Sequence, residues 1–337
     1  MVITDTEMER LNDCLQKIGK IEIGIFPTPL HRLYNLEETL KFGKIFIKRD
    51  DMTGLGPGGN KVRSLEFIMK QVLDGHHDLV IVSGPMQSNL CTLAANACAR
   101  LRVECVIVHN GEKPEKFCGN ELLNHLSQVR TYYAGAISRP RRDEYVSNLC
   151  EAYRAQGRNP YVIENGATTG FGALGYVNAA VELMRQNEEQ KLGIRDLFVP
   201  GGNGGVAAGL IFGNAQLGCP FRINVVSVDD DRILLSEGID SALSQVEKIT
   251  GLPFDRGAEE GFIILDDYRG GGWGSNTPES SGMVLQFPAE EGLYLENVYN
   301  SKVMAGMVDR IRKGKTEGNV CFLHTGGFGS LFAQFEE

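Results

Sequence analysis

The chain lacks the cysteine and histidine spacing that is typical of metal sites and disulfide frameworks. Its 337 residues include eight cysteines with no C-x-x-C pair and six histidines with no H-x-x-x-H pair. Structural zinc sites and small disulfide-bonded domains depend on such spacing. We therefore expect no metal site, and we expect Cys91 and Cys98, which share a helical pattern, to be small core residues.

Long apolar runs and an excess of positive charge are also lacking. The longest apolar stretches, such as residues 79–82, are far shorter than the ~20 residues of a membrane-spanning helix. No signal-peptide pattern precedes Phe26. With 43 acidic and 34 basic residues the formal net charge is -9, which disfavours a nucleic-acid-binding surface. We expect a cytoplasmic globular protein that binds neither membranes nor nucleic acids.

The apolar pattern alternates between strand and helix periodicity along most of the chain. Strands are predicted at 44–48, 79–82, 104–109, 129–133, 161–163, 196–199 and 223–228. Helices are predicted at 5–20, 61–73, 88–101, 119–128, 141–155, 173–186 and 205–215. This alternation indicates an α/β fold with parallel sheets and helices on both faces, and the length favours two doubly wound domains.

Residues 54–59 form the first of two glycine-rich loops. They match G-x-G-x-x-G between a predicted strand and a predicted helix, which is the pattern of a dinucleotide-binding turn. However, the loop from Asp50 to Asn60 is longer than such a turn, and the next strand ends in Ser83-Gly84 instead of an acidic residue. A nicotinamide-dependent enzyme is therefore the less favoured interpretation of this loop.

The second loop, Gly201–Gly205, has four glycines in five residues between a predicted strand and helix. Glycines allow several backbone N–H groups to converge, and the helix N-terminus adds partial positive charge. The loop is therefore expected to approach a terminal phosphate closely, although a simple tight turn would need only one or two glycines. No Lys-Ser/Thr follows it, so it is not a Walker loop.

Lys61 is placed in the first turn of its predicted helix, where the helix dipole disfavours a cation. A lysine whose ammonium form is destabilised is suited to imine chemistry, because only the neutral amine attacks an aldehyde. By itself, a lysine after a glycine-rich turn is more often an ordinary solvated charge. The segments that accompany it change this interpretation.

Residues 50–66, with the sequence DDMTGLGPGGNKVRSLE, resemble the cofactor-lysine segment of the D-cysteine desulfhydrase and 1-aminocyclopropane-1-carboxylate (ACC) deaminase family. Further segments resemble that family in the same order, and the similarity extends from Phe26 to Phe335: Gln87–Asn89, Gly201–Gly205, Asp266–Tyr268, Val298–Lys302 and His324–Gly327. The resemblance implies a pyridoxal phosphate (PLP) enzyme with the tryptophan-synthase-β-like fold, PLP fold type II. It also implies a homodimer.

The resemblance assigns roles to individual residues. Lys61 would bind the cofactor covalently, Asn89 would bond its ring hydroxyl, and Thr325 would lie near its ring nitrogen. Ser88 would face the substrate carboxylate or share proton transfer with Lys61, and Tyr299 would donate a proton or position the substrate. The phosphate contacts would come from Gly202, Asn203, Gly204, Gly205 and Val206, and further substrate contacts from Gln87, Asn89 and Trp273.

Three positions depart from the family pattern, and a fourth distinguishes its two branches. Trp273 falls where a second active-site tyrosine is usual, and an indole cannot exchange a phenolic proton. Asn300 replaces the glutamate of ACC deaminases or the threonine typical of desulfhydrases, and Ser301 replaces a glycine. Thr325 favours the desulfhydrase branch, so ring opening of ACC is disfavoured.

The predicted reaction is α,β-elimination on a small amino acid, with Ser88 or Lys61 removing the Cα proton. The best candidate substrate is D-cysteine, which would give pyruvate, sulfide and ammonia. Another β-substituted amino acid, such as cysteate, diaminopropionate or D-serine, is an alternative, as is a non-catalytic small-molecule binding protein. We expect a small inserted domain at 62–165 and a large PLP-binding domain at 1–61 plus 166–337, with the cofactor in the cleft.

Overall fold

The computed structural model describes residues 5–254 and 261–335, which form strands and helices in alternation. The strands are β1 (Leu30–Arg32), β2 (Ile45–Arg49), β3 (Leu79–Gly84), β4 (Glu104–His109), β5 (Arg130–Tyr133), β6 (Pro160–Ile163), β7 (Ile194–Gly201), β8 (Arg222–Ser227), β9 (Phe262–Leu265) and β10 (Asn319–His324). The helices are α1 (Asp5–Ile18), α2 (Tyr34–Leu40), α3 (Lys61–Asp74), α4 (Asn89–Leu101), α5 (Gly119–Leu126), α6 (Arg139–Ala155), α7 (Gly170–Glu189), α8 (Gly205–Gln216), α9 (Arg232–Thr250), α10 (Pro278–Glu291), α11 (Asn300–Arg312) and α12 (Phe328–Leu331).

The strands form two separate sheets. The larger has six strands in the order β1-β2-β10-β7-β8-β9, parallel except for the antiparallel pair β1 and β2. The smaller has four parallel strands in the order β5-β4-β3-β6. Parallel strands joined by helices confirm the predicted α/β class. The strands of the smaller sheet all lie within 62–165, and the domain limits themselves stay a proposal.

Helices cover both faces of each sheet. In the larger sheet, α1, α7, α8 and α9 pack on one face, and α2, α10 and α11 pack on the other. In the smaller sheet, α3 and α4 share a core with one face while α6 packs on the opposite face. Successive residues of β3 point into these two cores in turn, because side chains alternate along a strand.

The elements predicted between residues 44 and 228 are confirmed, with shifted ends. Helix α7, for example, begins at Gly170 instead of residue 173, because Thr169 caps it by accepting a hydrogen bond from the Gly172 N–H at 3.1 Å. The prediction stopped at residue 228, whereas α9 to α12, β9 and β10 follow. Among the described helices, none has the length and apolar character needed to cross a membrane.

Strand β2 is an inner strand of the larger sheet, between β1 and β10. Both of its faces are covered, and even Lys48 is only 2% exposed. The Lys48 ammonium forms an ion pair with Glu182 on α7 and donates to the Thr28 carbonyl at 2.8 Å. A lysine can be buried in this way because its charge and hydrogen bonds are satisfied.

Arg63, two residues after Lys61, is the centre of a buried ion network. Its guanidinium binds both oxygens of Asp50 at 2.7 Å and both oxygens of Glu182 at 2.9 Å. The Tyr176 hydroxyl donates to Asp50 at 2.8 Å. This network joins the start of α3 to α7 and to the end of β2. It therefore fixes the position of the backbone from which the Lys61 side chain extends.

Candidate active site

A cavity of about 670 Å³ lies between the two sheets, at the carboxyl ends of their strands. Ser83, Asn110 and Asn165 line it at or just after the ends of β3, β4 and β6, and Pro200 and Thr325 do so at the ends of β7 and β10. Parallel α/β sheets bind ligands at this edge. The predicted site residues all line this cavity: Lys61, Gln87, Ser88, Asn89, Gly202, Asn203, Gly204, Gly205, Val206, Trp273, Tyr299 and Thr325.

Lys61 is the first residue of α3, and its side chain is half-buried beside the cavity. The Nζ atom donates a hydrogen bond to the Gly166 carbonyl at 2.8 Å. Burial lowers the pKa of Lys61 to about 8. A much larger fraction of this amine is therefore neutral near pH 7 than for an exposed lysine.

The loop 54–59 places Lys61 beside Thr325 and does not itself form the binding surface. Gly59 N–H donates to the Thr53 hydroxyl at 3.0 Å, which closes the loop, and Asn60 N–H donates to the Thr325 carbonyl at 3.0 Å. The cavity lining in this segment begins at Asn60. The G-x-G-x-x-G match therefore has a structural explanation without a dinucleotide.

The 201–205 loop has the geometry of an anion cradle. Gly204 has φ +92° and precedes α8 without a side-chain cap, so the first N–H groups of α8 are left for a ligand. A Cβ on Gly204 would lie 2.7 Å from the Ile239 nitrogen, which excludes any larger residue. The cradle therefore depends on glycine at this position.

Gly166 links the amine to this cradle. Its carbonyl accepts the Lys61 hydrogen bond, and its Cα packs so closely on Asn203 that an added Cβ would lie 2.5 Å from the Asn203 Nδ2 atom. Gly166 has φ +71°, a backbone conformation that favours glycine. The amine of Lys61 and the glycine loop therefore border the same part of the cavity. Sequence reasoning missed Gly166, because a glycine in a short turn carries no specific signal.

Asn120 fixes the orientation of Asn89 at the start of α4. Asn120 Nδ2 donates to Asn89 Oδ1 at 2.7 Å, so the Asn89 amide nitrogen remains available as a donor. Ser88 is the N-cap of α4, and its hydroxyl oxygen accepts from the Cys91 N–H at 3.3 Å. Both ends of the Gln87 amide are bound to the backbone at Cys118 and Asn120.

A buried carboxylate and amide support Thr325 from behind. Asn300 Oδ1 accepts from the Thr325 N–H at 2.9 Å and from its hydroxyl at 3.2 Å. Glu296 in turn accepts hydrogen bonds from the Asn300 side chain and from backbone N–H groups at the start of α11, including that of Tyr299. Burial raises the pKa of Glu296. Sequence reasoning missed Glu296, although a carboxylate before a helix is a common capping signal.

Trp273 and Tyr299 form a hydrogen-bonded aromatic pair in the cavity. The Trp273 indole N–H donates to the Tyr299 hydroxyl oxygen at 3.0 Å. Burial raises the pKa of Tyr299 to about 12, so the phenol is protonated at neutral pH. Tyr268, from a segment that resembles the family, instead donates to Asp309 at 2.6 Å.

Lys302 holds the backbone next to Trp273. Its ammonium is fully buried and donates to the carbonyls of Val228, Arg269 and Gly272 at 2.9, 2.7 and 2.7 Å. Burial lowers the pKa of Lys302 to about 8. This residue, on α11, therefore fixes the turn that presents the indole.

Comparison with known proteins defines the class. The family model "Pyridoxal-phosphate dependent enzyme" matches residues 21–326. The chain therefore belongs to the family of PLP-dependent enzymes, and within it to the group of D-cysteine desulfhydrases and ACC deaminases.

Three relatives illustrate this grouping. D-cysteine desulfhydrase of Klebsiella pneumoniae is 35% identical over 332 residues, covering 95% of this chain and 97% of that protein. A Pyrococcus horikoshii protein provisionally named an ACC deaminase is 31% identical over 318 residues, covering 94% of each chain. The crystal structure of an ACC deaminase homologue superposes with a TM-score of 0.88 at 29% identity, covering 96% of each chain.

The residues on the cavity wall fit PLP. The Lys61 amine and the glycine cradle at the N-terminus of α8 both contact Gly166. They therefore lie close enough together to bind the aldehyde and the phosphate of one small molecule. The family match confirms the PLP prediction and replaces both the nicotinamide-dependent enzyme and the non-catalytic binding protein as interpretations.

Proposed function

We propose that the protein catalyses α,β-elimination on a small amino acid, with D-cysteine as the best candidate substrate. D-cysteine and water would give pyruvate, hydrogen sulfide and ammonia. The amine of Lys61, with its pKa of about 8, carries this proposal, because it lies in one cavity with the glycine cradle. The similarity to D-cysteine desulfhydrases over nearly the whole chain supports the choice of substrate.

The cofactor contacts follow from the polar groups of the cavity wall. Lys61 would hold PLP covalently, and the backbone of residues 202–206 would hold its phosphate. The free amide nitrogen of Asn89 would donate to the ring oxygen, and Thr325 would face the ring nitrogen as a neutral group. When bound, PLP withdraws electrons from the Cα atom of an amino acid and so weakens its bond to hydrogen.

Lys61 and Ser88 are the two candidates for the group that takes the Cα proton. Lys61 Nζ is a base near neutral pH because burial lowers its pKa to about 8. Ser88 Oγ accepts the Cys91 N–H, so its own hydrogen can be donated to a substrate carboxylate at the start of α4. We therefore assign the proton at Cα to Lys61 and the binding of the substrate carboxylate to Ser88.

Tyr299 is the proposed proton donor to the departing sulfur. Its oxygen already accepts the Trp273 N–H, and its high pKa keeps its own hydrogen in place at neutral pH. Asn300 stands where the family resemblance gives ACC deaminases a glutamate, and Thr325 favours the desulfhydrase branch, so ACC ring opening is the less favoured activity.

The test is product formation by the purified protein with its cofactor. We expect visible absorption from bound PLP, and release of pyruvate and sulfide from D-cysteine in preference to L-cysteine and ACC. Lys61→Ala should remove both signals, whereas Lys70→Ala, on the same helix but outside the cavity lining, should keep both. Bound cofactor without pyruvate from D-cysteine would overturn the substrate assignment and leave the cofactor in place.

A further inference from the structure

Arg142 on α6 brings a buried positive charge to the wall of the same cavity. Its Nη1 atom donates to Asn110 Oδ1 at 2.8 Å, and its Nη2 atom donates to Asn165 Oδ1 at 2.9 Å. Asn110 follows β4 and Asn165 follows β6, while β3 lies between these strands. The guanidinium therefore spans the carboxyl end of β3, where Ser83 also lines the cavity.

This charge has no adequate partner within residues 5–254 and 261–335. Arg142 is 2% exposed, and both of its hydrogen-bond acceptors are neutral amides. Its Nε atom is buried without an acceptor among the described residues, and the closest carboxylate oxygen, on Asp143, is 3.8 Å from Nη2. A buried guanidinium stays protonated and is stabilised chiefly by an anion.

The location on α6 makes the absence of a partner more significant. Arg142 is in the first turn of this helix, where the helix dipole repels cations, and the turn contains no acidic residue. Asp143 and Arg139 act on Arg142 with opposite charges. The two amide acceptors satisfy hydrogen bonds of the guanidinium but leave its charge without an anion in contact.

The other anions expected in the cavity already have binding groups. The cofactor phosphate is assigned to the 202–206 cradle, and the substrate carboxylate is assigned to Ser88 at the start of α4. Arg142 and Ser88 line the same cavity, and Arg142 also acts electrostatically on Cys91 in the first turn of α4. A second anion on the substrate would therefore be within reach of Arg142.

We propose that Arg142, held by Asn110 and Asn165, forms a subsite for an anionic group on the side chain of the substrate amino acid. This inference rests on the proposed α,β-elimination and adds to D-cysteine a further class of substrate, amino acids with a carboxylate, sulfonate or phosphate in the side chain. Such groups match a guanidinium that already offers fixed N–H donors. Arg139, which also lines the cavity and is exposed, adds positive charge.

The test compares binding of charged amino acids with that of neutral ones by the PLP-loaded enzyme. The titration uses two pairs of ligands, aspartate with asparagine, which have similar shapes, and cysteate with cysteine, each as both enantiomers. Binding is followed by the visible absorption of the bound cofactor. We expect wild type to bind the anionic member of a pair roughly 10- to 100-fold more tightly. Arg141→Gln, an exposed change in the same helical turn, should keep this ratio.

Two variants remove the free charge in different ways. Arg142→Gln removes the guanidinium, whereas Asn110→Asp keeps it and places a carboxylate against it. Both should bring the anionic-to-neutral binding ratio close to one. A loss of selectivity in Asn110→Asp while PLP stays bound is a change in the subsite and not a loss of the fold.

Several results would overturn the subsite. An unchanged anionic-to-neutral binding ratio in Asn110→Asp would show that Arg142 has only a structural role. Equal weakening of all amino acids would assign it to the shared α-carboxylate, and loss of bound PLP would assign it to the cofactor phosphate. A wild-type ratio near one, with pyruvate still formed from D-cysteine, would overturn the subsite alone. Selective binding of anions without pyruvate from D-cysteine would overturn the D-cysteine assignment alone.

Discussion

The Trp273 indole nitrogen donates a hydrogen bond of 3.0 Å to the Tyr299 hydroxyl oxygen inside the cavity that Lys61 also lines. The family resemblance implies that Trp273 stands where a second tyrosine is usual, which would remove one phenolic proton from the site. The structure shows that the Trp273 indole still forms a hydrogen bond with the remaining phenol, that of Tyr299. Because the indole occupies one lone pair of the oxygen, the hydrogen of Tyr299 must point to another acceptor.

This pair predicts non-additive effects of mutation. Trp273→Phe should lower kcat for elimination about fivefold by removing one hydrogen bond. Tyr299→Phe should lower kcat by about 10²-fold or more by removing a proton donor. The double variant should be no slower than Tyr299→Phe, because the indole acts through the phenol. Steady-state kinetics on the preferred substrate measure this, and fully additive losses would contradict it.

The lowered pKa of Lys61 predicts how the cofactor-free enzyme reloads with PLP. Only the neutral amine attacks the aldehyde, so the rate should rise about tenfold per pH unit below the pKa and level off above about pH 8. An amine at the ordinary lysine value of 10.5 would instead give a rate that still rises above pH 9. Stopped-flow absorption between pH 6 and 10 decides between these two outcomes.

The ion network around Arg63 predicts a large loss of stability. Arg63→Met leaves the carboxylates of Asp50 and Glu182 buried without this partner, which should lower the free energy of unfolding by about 3–5 kcal/mol. The matched control is Arg154→Met, which breaks an exposed pair with Glu151 and should change it by less than about 1 kcal/mol. Urea unfolding followed by circular dichroism measures both, and similar losses would be inconsistent with the network.

The same network predicts an acid-sensitive contribution from Glu182. Burial alone would raise its pKa, but Arg63 and Lys48 lower it to about 2 from an ordinary value of 4.5. Because the pKa of Glu182 is lower in the folded protein than in the unfolded chain, its carboxylate stabilises the fold at pH values above about 4.5. This contribution is lost as the pH falls from about 4.5 to 2. The shift corresponds to roughly 3 kcal/mol.

Glu182→Gln tests this contribution. Its free energy of unfolding should be lower than that of wild type near pH 7, and the difference should shrink as the pH falls through this range. Chemical unfolding at several pH values measures it. A difference that stays constant with pH would show that Glu182 does not titrate as described.

The site residues that sequence predicts best are local in the chain. Lys61 and the 201–205 loop are short patterns at the ends of predicted strands and helices, where backbone geometry alone limits their position. Asn120 and Arg142 are different, because each acts through residues that are distant in sequence and meet only in the folded chain. No periodicity marks such residues in advance.

The strand pattern at residues 44–48 shows a second limit of the sequence. Two lysines flank the apolar residues of this segment, yet β2 is an inner strand and Lys48 pairs with Glu182 from α7. The compensating carboxylate is on a helix 134 positions away in the chain. The burial of Lys48 can therefore be inferred only once the position of Glu182 in the fold is known.

Helix α11 supports both members of the aromatic pair. Tyr299 is the N-cap residue directly before the helix, and Lys302, one turn later, holds the turn next to Trp273 through hydrogen bonds to three carbonyls. Both the indole and the phenol are thus held by α11. Their spacing therefore does not depend on the distance between the two sheets. Replacing Lys302, which is not part of the cavity wall, would let the indole drift from the phenol and so alter which side chains the enzyme accepts.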